Sequence, residues 1–302
     1  MTMIRSGFAD VLDPVFRKIY DMELKLWKPV HTEIFNVEKT DRKEVKDSFV
    51  TPLGALEVKT EGEAITYRDM TQGYDYTYTM ITFAGGAIVT LEMYQDDQHR
   101  IMKKIPALLT RSRNYTKELE GANILNYGFT DSAAYRFGDS KPLFSASHPN
   151  PTGGSVISNL LSTASDLSAT SLKQMLIDWD NQVDYNGFPI NIPVKYLWHP
   201  NDLRFDVIEL LKSQQLAGGA LNNINSISDA GLTPLRWSYL TDADAWGLLS
   251  DKANHGLNLF DRMAPTMRNF DDPDSWNMKT SIVERYDFGV SHFWGVMGTP
   301  GA

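Results

Sequence analysis

The sequence contains no cysteine among its 302 residues. This absence excludes disulfide bridges, thiolate metal sites and cysteine nucleophiles, so packing or contacts with other chains must hold the fold together. The sequence also has no Gly-x-x-x-x-Gly-Lys-Ser/Thr motif and no Gly-x-Gly-x-x-Gly motif, the backbone arrangements that bind nucleotides. Its six histidines include no pair four residues apart. We therefore expect neither a metal nor any other cofactor.

Basic residues are too few to balance the acidic ones. Twenty-nine Lys and Arg stand against 38 Asp and Glu, which gives a net charge of −9. This sign is unfavourable for gripping phosphate backbones, so direct recognition of nucleic acid is not expected. The chain also lacks a run of about 20 apolar residues that would span a bilayer, and its first residues lack the apolar core of a secretion signal. We expect a soluble chain that stays inside the cell that makes it and binds no membrane.

What is present is the composition of a folded protein, with 42% hydrophobic and 22% charged residues, and a length that predicts about two lobes. Apolar residues recur at helical steps over residues 8–27, and Pro14, tolerated in a first helical turn, predicts a firm helix from Pro14 to Trp27. This segment is either an ordinary core helix or an arm that packs on another molecule. Glu38 to Asp47 follows with eight charged residues in ten, which predicts a solvated connection.

The pattern from Phe49 to Glu92 is that of β-strands. Tyr74, Tyr76 and Tyr78 share one face of a predicted strand at period two. Further strands are predicted at residues 56–59 and 64–67, on either side of a turn. Because two strands alone are barely stable in water, this ribbon needs a covering surface. That surface is either the chain's own domain or another subunit.

The longest helical pattern runs from Asp96 to Asn126. Pro106 lies inside it, so either the helix kinks there or a second helix of about 20 residues begins at Pro106. Charged residues, including Lys117 and Glu118, are predicted to lie mostly on the opposite, solvated face. The predicted apolar seam consists of Ile101, Ile105, Leu108, Ser112, Tyr115, Leu119 and Ala122.

Residues 139–159 are rich in turn-forming residues and predict a boundary between lobes. Beyond them the pattern predicts helices and strands that are segregated rather than alternating, which indicates an α+β fold with mainly antiparallel sheets. The predicted helices cover residues 168–183, with Ser168 or Thr170 as the cap, and 201–213. The predicted strands cover residues 194–198, 235–240, 246–249 and 279–286, with a long exposed loop over 214–231.

Ser147 and His148 are adjacent, and a serine nucleophile does need an imidazole to take its proton. A hydrolase that uses Ser147 and His148 is therefore one alternative. However, catalytic triads are assembled from separated segments, and this serine lacks the Gly-x-Ser-x-Gly elbow. We interpret His148, which precedes a proline, as a turn residue.

Several segments, taken in their order along the chain, resemble the major capsid proteins of tailed bacteriophages, and in particular Mu-type head subunits. The similarity extends over nearly the whole chain, although no single motif is decisive. The segments that carry it are Ile81 to Glu92 followed by Asp96-Asp97, Leu143-Phe-Ser-Ala-Ser-His-Pro149, Gly153-Gly154, Ser158-Asn159-Leu160, Gly187-Phe-Pro-Ile190, Pro193 to Pro200 and Ile208 to Ser213.

The resemblance implies an α+β Hong Kong phage-type major capsid fold. Such a fold has an N-terminal arm, an extended β-hairpin loop, a peripheral lobe with a long spine helix, and an axial lobe. On this chain the implied parts are the arm at 1–48, the extended loop and peripheral-lobe strand at 49–92, the spine helix at 93–138, the axial lobe at 139–265 and the return strands of the peripheral lobe at 266–302.

The function implied by the resemblance is structural and not enzymatic. The chain would self-assemble into hexamers and pentamers of an icosahedral head that encloses double-stranded DNA without sequence-specific binding. The sequence has no room for a long fused scaffolding segment, so the expected partners are a separate scaffolding protein and a portal, with a decoration protein as a further candidate. Its expected location is the virion capsid, assembled in the bacterial host cytoplasm.

A nanocompartment shell of the same fold, which would enclose an enzyme, is the remaining alternative. Some capsids of this fold form lysine–asparagine cross-links, for which Lys59 is a candidate donor, but we expect no cross-link here. The candidate residues for contacts between subunits are Phe8, Phe16, Trp27, Lys59, Tyr74, Tyr76 and Tyr78.

Overall fold

The computed structural model describes residues 18–51, 53–67, 70–90, 92–93, 96, 104–132, 135–213, 225–272 and 277–302. Its helices are α1 (residues 18–26), α2 (His31–Ile34), α3 (Ile105–Asn126), α4 (Ala169–Asp180) and α5 (Arg204–Lys212), with 3-10 turns at Ser228–Ala230 and Lys252–Asn254. Its strands are β1 (Asn36–Lys39), β2 (Glu44–Val50), β3 (Gln72–Thr79), β4 (Ile81–Val89), β5 (Val194–His199), β6 (Thr233–Arg236), β7 (Trp246–Ser250), β8 (Leu257–Asp271), β9 (Met278–Val290) and β10 (Val296–Thr299).

Four of the strands form what is here termed the long sheet, in the order β1-β8-β9-β4. β9 pairs antiparallel with β8 on one side and with β4 on the other, while β1 runs parallel to β8. Alternate residues of β9 are buried, as expected for a sheet with one covered face. The boundary that the sequence analysis sets between residues 265 and 266 falls inside β8, which is one continuous strand.

Helix α3 packs across the long sheet, which it contacts through β9 and β4. It begins at Ile105 and has Pro106 in its first turn, where the missing amide hydrogen of proline breaks no helical hydrogen bond. Of the two predicted alternatives, a helix that begins at this proline is therefore confirmed to within one residue. Its 22 residues correspond to a length of about 33 Å.

The buried face of α3 includes Ala122 of the predicted apolar seam but differs from that seam elsewhere. Leu108 and Tyr115 of that seam are 57% and 53% exposed, whereas Lys117 and Glu118 are buried. Lys117 Nζ lies 2.6 Å from a carboxylate oxygen of Asp261 in β8, and a buried charge with such a partner is tolerated. The prediction of a solvated charged face is therefore wrong for Lys117 and Glu118.

The remaining four-stranded sheet, here termed the short sheet, has the order β10-β7-β5-β6. β5 runs parallel to β6, and the other two pairs are antiparallel. The side chain of Ser168 caps α4 by accepting a hydrogen bond from the backbone of Ser171, which confirms one of the two predicted caps. The apolar cluster between the short sheet and its helices includes Leu172, Met175, Trp179, Val207, Trp246 and Leu248.

The two sheets and α3 share one hydrophobic core. Trp198 of β5 and Trp237, which follows β6, are both fully buried in it. From the other side, α3 and the long sheet contribute Leu125 and Phe288. Because aromatic side chains bury a large apolar area each, this shared core stabilises the packing of the two sheets.

The charged segment Glu38 to Asp47 is not the predicted solvated connection. Much of it lies in β1 and β2, and β2 pairs antiparallel with β3. Exposure alternates along β2, so Glu44 and Lys46 face solvent while Val45 packs on a buried cluster that includes Tyr78. The strands predicted at residues 56–59 and 64–67 are also wrong, since neither range is in a strand.

Candidate functional site

The loop between β2 and β3 carries the most exposed apolar side chains of the described chain. Residues 53–67, here termed the distal loop, contain no helix or strand. Leu56, Val58 and Tyr67 are 95%, 96% and 90% exposed. Lys59 is exposed as well. Exposed apolar side chains of this kind gain free energy when another surface covers them.

The base of the distal loop is held to the rest of the chain. Thr51 Oγ1 donates a hydrogen bond to the Thr71 carbonyl at 2.9 Å, and Thr71 N donates to Thr51 Oγ1 at 3.2 Å. Next to this pair, the ring of Phe49 lies 4.9 Å from the ring of Trp294 and 5.8 Å from that of Tyr185. The loop therefore has a packed base, while its tip exposes apolar side chains to solvent.

The tyrosine stripe of β3 is covered by this chain at Tyr76 and Tyr78. Tyr78 is fully buried, with its hydroxyl 2.7 Å from Ser291 Oγ and its ring 4.6 Å from that of Phe260. Tyr76 packs edge-on against Tyr78, and burial raises the pKa of Tyr76 to about 12. Of the two alternatives for the ribbon, cover by its own domain applies here. Tyr78 has no exposed surface with which to contact another subunit, whereas Tyr74 is half-buried.

The N-terminal contact candidates are only partly within the described residues. Phe8 and Phe16 lie outside them. Helix α1 buries Tyr20 and leaves Leu26 76% exposed, so it packs on the core with one face and presents an apolar residue on another. Trp27 follows α1 and is half-buried. The contact role of Phe8, Phe16 and Trp27 remains a prediction.

Glu118 connects three separated parts of the chain. Its Oε1 atom accepts hydrogen bonds from Val30 N and from the ring of His31, each at 2.8 Å. Its Oε2 atom accepts a hydrogen bond from Trp237 Nε1 at 2.6 Å. Hydrogen bonds to a charged acceptor are stronger than neutral ones, so this carboxylate holds α3, the segment before β1 and the segment after β6 together.

The spacing of mainly apolar residues along α3 did not indicate this buried polar face. Thr110, Asn114 and Lys117 are buried and recur at steps of four and three, which is the spacing of one helical face. Arg113 adds a second ion pair, 2.7 Å from Glu284 of β9. Polar residues that recur at helical spacing are thus the sequence signal for the face of α3 that packs on charged residues of the long sheet.

His148 is buried and does not have the surroundings of a catalytic base. Its Nδ1 atom lies 2.5 Å from Asp139 Oδ2, and its Nε2 atom lies 3.1 Å from Asn159 Oδ1. Both ring nitrogens therefore already lie within hydrogen-bond distance of a side chain other than a serine, whereas a catalytic base must reach the proton that it abstracts. Ser147 is exposed to solvent. This geometry does not support the hydrolase alternative.

The interpretation of His148 as a turn residue is also wrong. Its backbone pairs with that of Ile157 through two hydrogen bonds, at 2.9 and 3.0 Å. Its ring stacks on Phe293, with 3.9 Å between ring centroids and 5° between planes. The neighbouring Asn159 donates to the carbonyl of Leu143 at 2.7 Å. His148 is therefore part of the packing between residues 139–159 and the C-terminal segment.

Among the described residues, no cluster of three or more His, Asp or Glu side chains could hold a metal ion. The helices of the described ranges include none that is long and apolar enough to cross a membrane.

Comparison with known sequences gives one family. A family model described as phage capsid protein matches residues 74–296, which is most of the chain. No curated protein sequence matches it.

Solved structures share the fold at low sequence identity. A chain in the capsid of a native GTA particle is 12% identical, with 91% of each chain covered and a TM-score of 0.60. A chain of Microbacterium phage Oxtober96 is 10% identical, with 91% of this chain and 92% of that chain covered and a TM-score of 0.55. A chain in the procapsid of bacteriophage JBD30 is 13% identical, with coverages of 99% and 76% and a TM-score of 0.52. These similarities confirm the α+β fold that the sequence analysis predicts.

Proposed function

Since this chain belongs to the phage capsid protein family, we propose that it is the major structural subunit of a tailed-phage head. The observation that carries the proposal is the match of that family over residues 74–296. The distal loop supports it, because Leu56 and Val58 are almost fully exposed in the single chain. Such side chains gain free energy when another copy of the chain covers them.

The contacts between copies would form on exposed side chains of the distal loop and of the N-terminal segment. Leu56, Val58 and Tyr67 of the distal loop would lie on a neighbouring subunit, with Lys59 contributing a non-covalent contact. Many modest contacts repeated around a closed shell add up cooperatively. Phe8, Phe16, Trp27 and Tyr74 are further contact candidates.

The assembled form would be an icosahedral shell of hexamers and pentamers. It would enclose double-stranded DNA without sequence-specific binding, since the net charge of −9 does not favour attraction between the shell and phosphate groups. The long sheet with α3 would form the peripheral lobe, and the short sheet with α4 and α5 the axial lobe. The order of segments supports a relationship to Mu-type head subunits.

The proposed partners are a separate scaffolding protein, a portal and a decoration protein. Assembly would take place in the cytoplasm of the bacterial host, and the mature location would be the virion capsid. We propose no catalytic step for the chain, because both ring nitrogens of His148 are engaged by Asp139 and Asn159.

The decisive experiment is expression of the full chain, alone and together with a candidate scaffolding protein. Size-exclusion chromatography followed by electron microscopy is expected to show closed shells built from hexamers and pentamers. A chain that remains monomeric under all assembly conditions, with and without scaffold, contradicts the proposal. Native particles that contain an enzyme instead of DNA would support the nanocompartment alternative.

A further inference from the structure

Strand β4 forms one outer edge of the long sheet. Within the described residues it pairs on one side only, with β9, through nine successive residue pairs. Its other edge therefore presents backbone N–H and C=O groups that no strand of the described chain pairs. Proteins usually protect such an edge with charged residues, proline or a bulge. The nine residues of β4 contain no charged residue and no proline, and their pairing with β9 has no register shift.

The centre of β4 carries no large side chain. Ala84, Gly85 and Gly86 are small and exposed. A Cβ atom placed on Gly85 would meet no heavy atom within 4 Å. Nearer the ends, Ile81 is 53% exposed and Ile88 is 64% exposed. Among the described residues, the centre of β4 thus has room for a side chain at Gly85, and a second strand that paired with this edge would cover exposed apolar side chains.

The order of residues in β4 favours a second copy of the same strand as that partner. Antiparallel pairing of two copies about Gly85 sets Ile81 opposite Val89, Thr82 opposite Ile88, and Phe83 opposite Ala87. Two of these pairs are between β-branched residues, which stabilise antiparallel strands, and the third sets a large side chain opposite a small one. Because β4 is uncharged, the pairing buries no unpaired charge.

We propose that β4 pairs antiparallel with β4 of a second copy about a two-fold axis at Gly85, which makes one continuous sheet across two chains. Such a contact is isologous, since each chain contributes the same surface. It rests on the proposed function in requiring two copies of this chain, but it uses residues distinct from the distal loop.

Single cysteines test the contact directly, because the chain contains none of its own. In the proposed register the two Gly85 positions face each other with about 5 Å between Cβ atoms. The two Thr82 positions lie six residues apart along the strands, or about 20 Å. Particles of Gly85→Cys treated with a short bismaleimide are expected to shift from monomer to dimer on a denaturing gel. Thr82→Cys is the matched control in the same strand and is expected to stay monomeric.

A mixed assembly fixes the register. Particles that contain both Thr82→Cys and Ile88→Cys chains are expected to link these two positions, as identified by mass spectrometry of the joined peptides. Thr82→Cys dimers as abundant as those of Gly85→Cys, or a link from Gly85→Cys to any other protein, overturn the proposal.

The outcome also separates this contact from the proposed function. Particles of Gly85→Cys that form but do not cross-link overturn the strand contact and leave the capsid role intact. If the unsubstituted chain forms no particles, the capsid role fails. The same cross-linking of concentrated soluble chain then decides the strand contact by itself, since a dimer supports it and a monomer overturns it.

Discussion

Trp237 donates a hydrogen bond from Nε1 to Glu118 Oε2 at 2.6 Å, and both side chains are buried. The other oxygen of the same carboxylate accepts hydrogen bonds from Val30 and His31. A buried carboxylate without such donors would be strongly destabilising. The position of α3 relative to the short sheet therefore depends on one side chain that has the right donors around it.

Replacement of Glu118 by Gln is expected to lower the free energy of unfolding by about 2 kcal/mol. The substitution replaces one carboxylate oxygen by an amide nitrogen, which cannot accept a hydrogen bond from either Trp237 or His31. Urea denaturation of the full chain measures the change. Glu209→Gln, at an exposed position of α5, is the control and is expected to change stability by less than about 0.5 kcal/mol. Equal stability of Glu118→Gln and the unsubstituted chain would show that the buried carboxylate does not hold these segments together.

At neutral pH, Asp287 is expected to stabilise the fold less than an asparagine at the same position would. It accepts a hydrogen bond from Thr79 N at 2.8 Å, yet burial raises its pKa to about 6, against about 3.9 for an unfolded chain. Between these values the folded state binds more protons than the unfolded state, so this group contributes stability below about pH 4 that is lost as the pH rises through 6.

Asp287→Asn is therefore expected to raise the free energy of unfolding by about 1 kcal/mol at pH 8, after allowance for the partial exposure of the carboxyl. The gain should disappear near pH 4, because the carboxyl is then neutral in the folded state. Thermal unfolding at the two pH values measures it, with Asp41→Asn, at an exposed position between β1 and β2, as the control. A gain of the same size at both pH values contradicts the argument.

His255 is expected to destabilise the fold in acid. Burial is the main cause that lowers its pKa to about 4, and the nearby His292 adds to the effect. An unfolded histidine has a pKa of about 6.5, so between pH 6.5 and 4 the unfolded state binds more protons. Stability is therefore lost as the pH falls through this window, by about 2–3 kcal/mol at its lower end.

The variant His255→Asn retains an acceptor for the Leu257 amide, which donates to the histidine ring at 3.2 Å. Its free energy of unfolding is expected to fall less steeply than that of the unsubstituted chain between pH 6.5 and 4. Urea denaturation across this range measures the two slopes. Parallel slopes would mean that His255 does not contribute to acid sensitivity.

Assembly and folding are expected to respond to different residues. Leu56→Ser combined with Val58→Ser should leave the thermal midpoint nearly unchanged, because both side chains are almost fully exposed. The same double variant should reduce the yield of particles seen by electron microscopy. Tyr78→Ser should instead lower the free energy of unfolding by about 3–4 kcal/mol, because it empties a buried aromatic site. Normal particle yield from the double loop variant would remove the distal loop from the subunit contacts.

Local chemistry explains why several elements are predictable from sequence. The Pro106 ring is tolerated only at a helix start, and Ser168 is a residue type preferred as a helix cap. The beginnings of α3 and α4 therefore follow from the residues at those positions. The strand β5 and the helix α5 likewise lie where their patterns indicate. The strands predicted at residues 56–59 and 64–67 failed, because strand-like composition forms a strand only where a partner strand pairs with it.

The α+β class, the absence of thiol chemistry and the family order of segments follow from the amino-acid sequence alone, since these depend on composition and on neighbouring residues. The buried face of α3 does not follow from the sequence pattern and is set by contacts between distant segments. Lys117 pairs with Asp261, 144 residues away, and Glu118 with Trp237, 119 residues away. Whether a charged helical residue faces water or the core depends on such distant partners, because burial of a charge is tolerated only when an opposite charge or a donor awaits it.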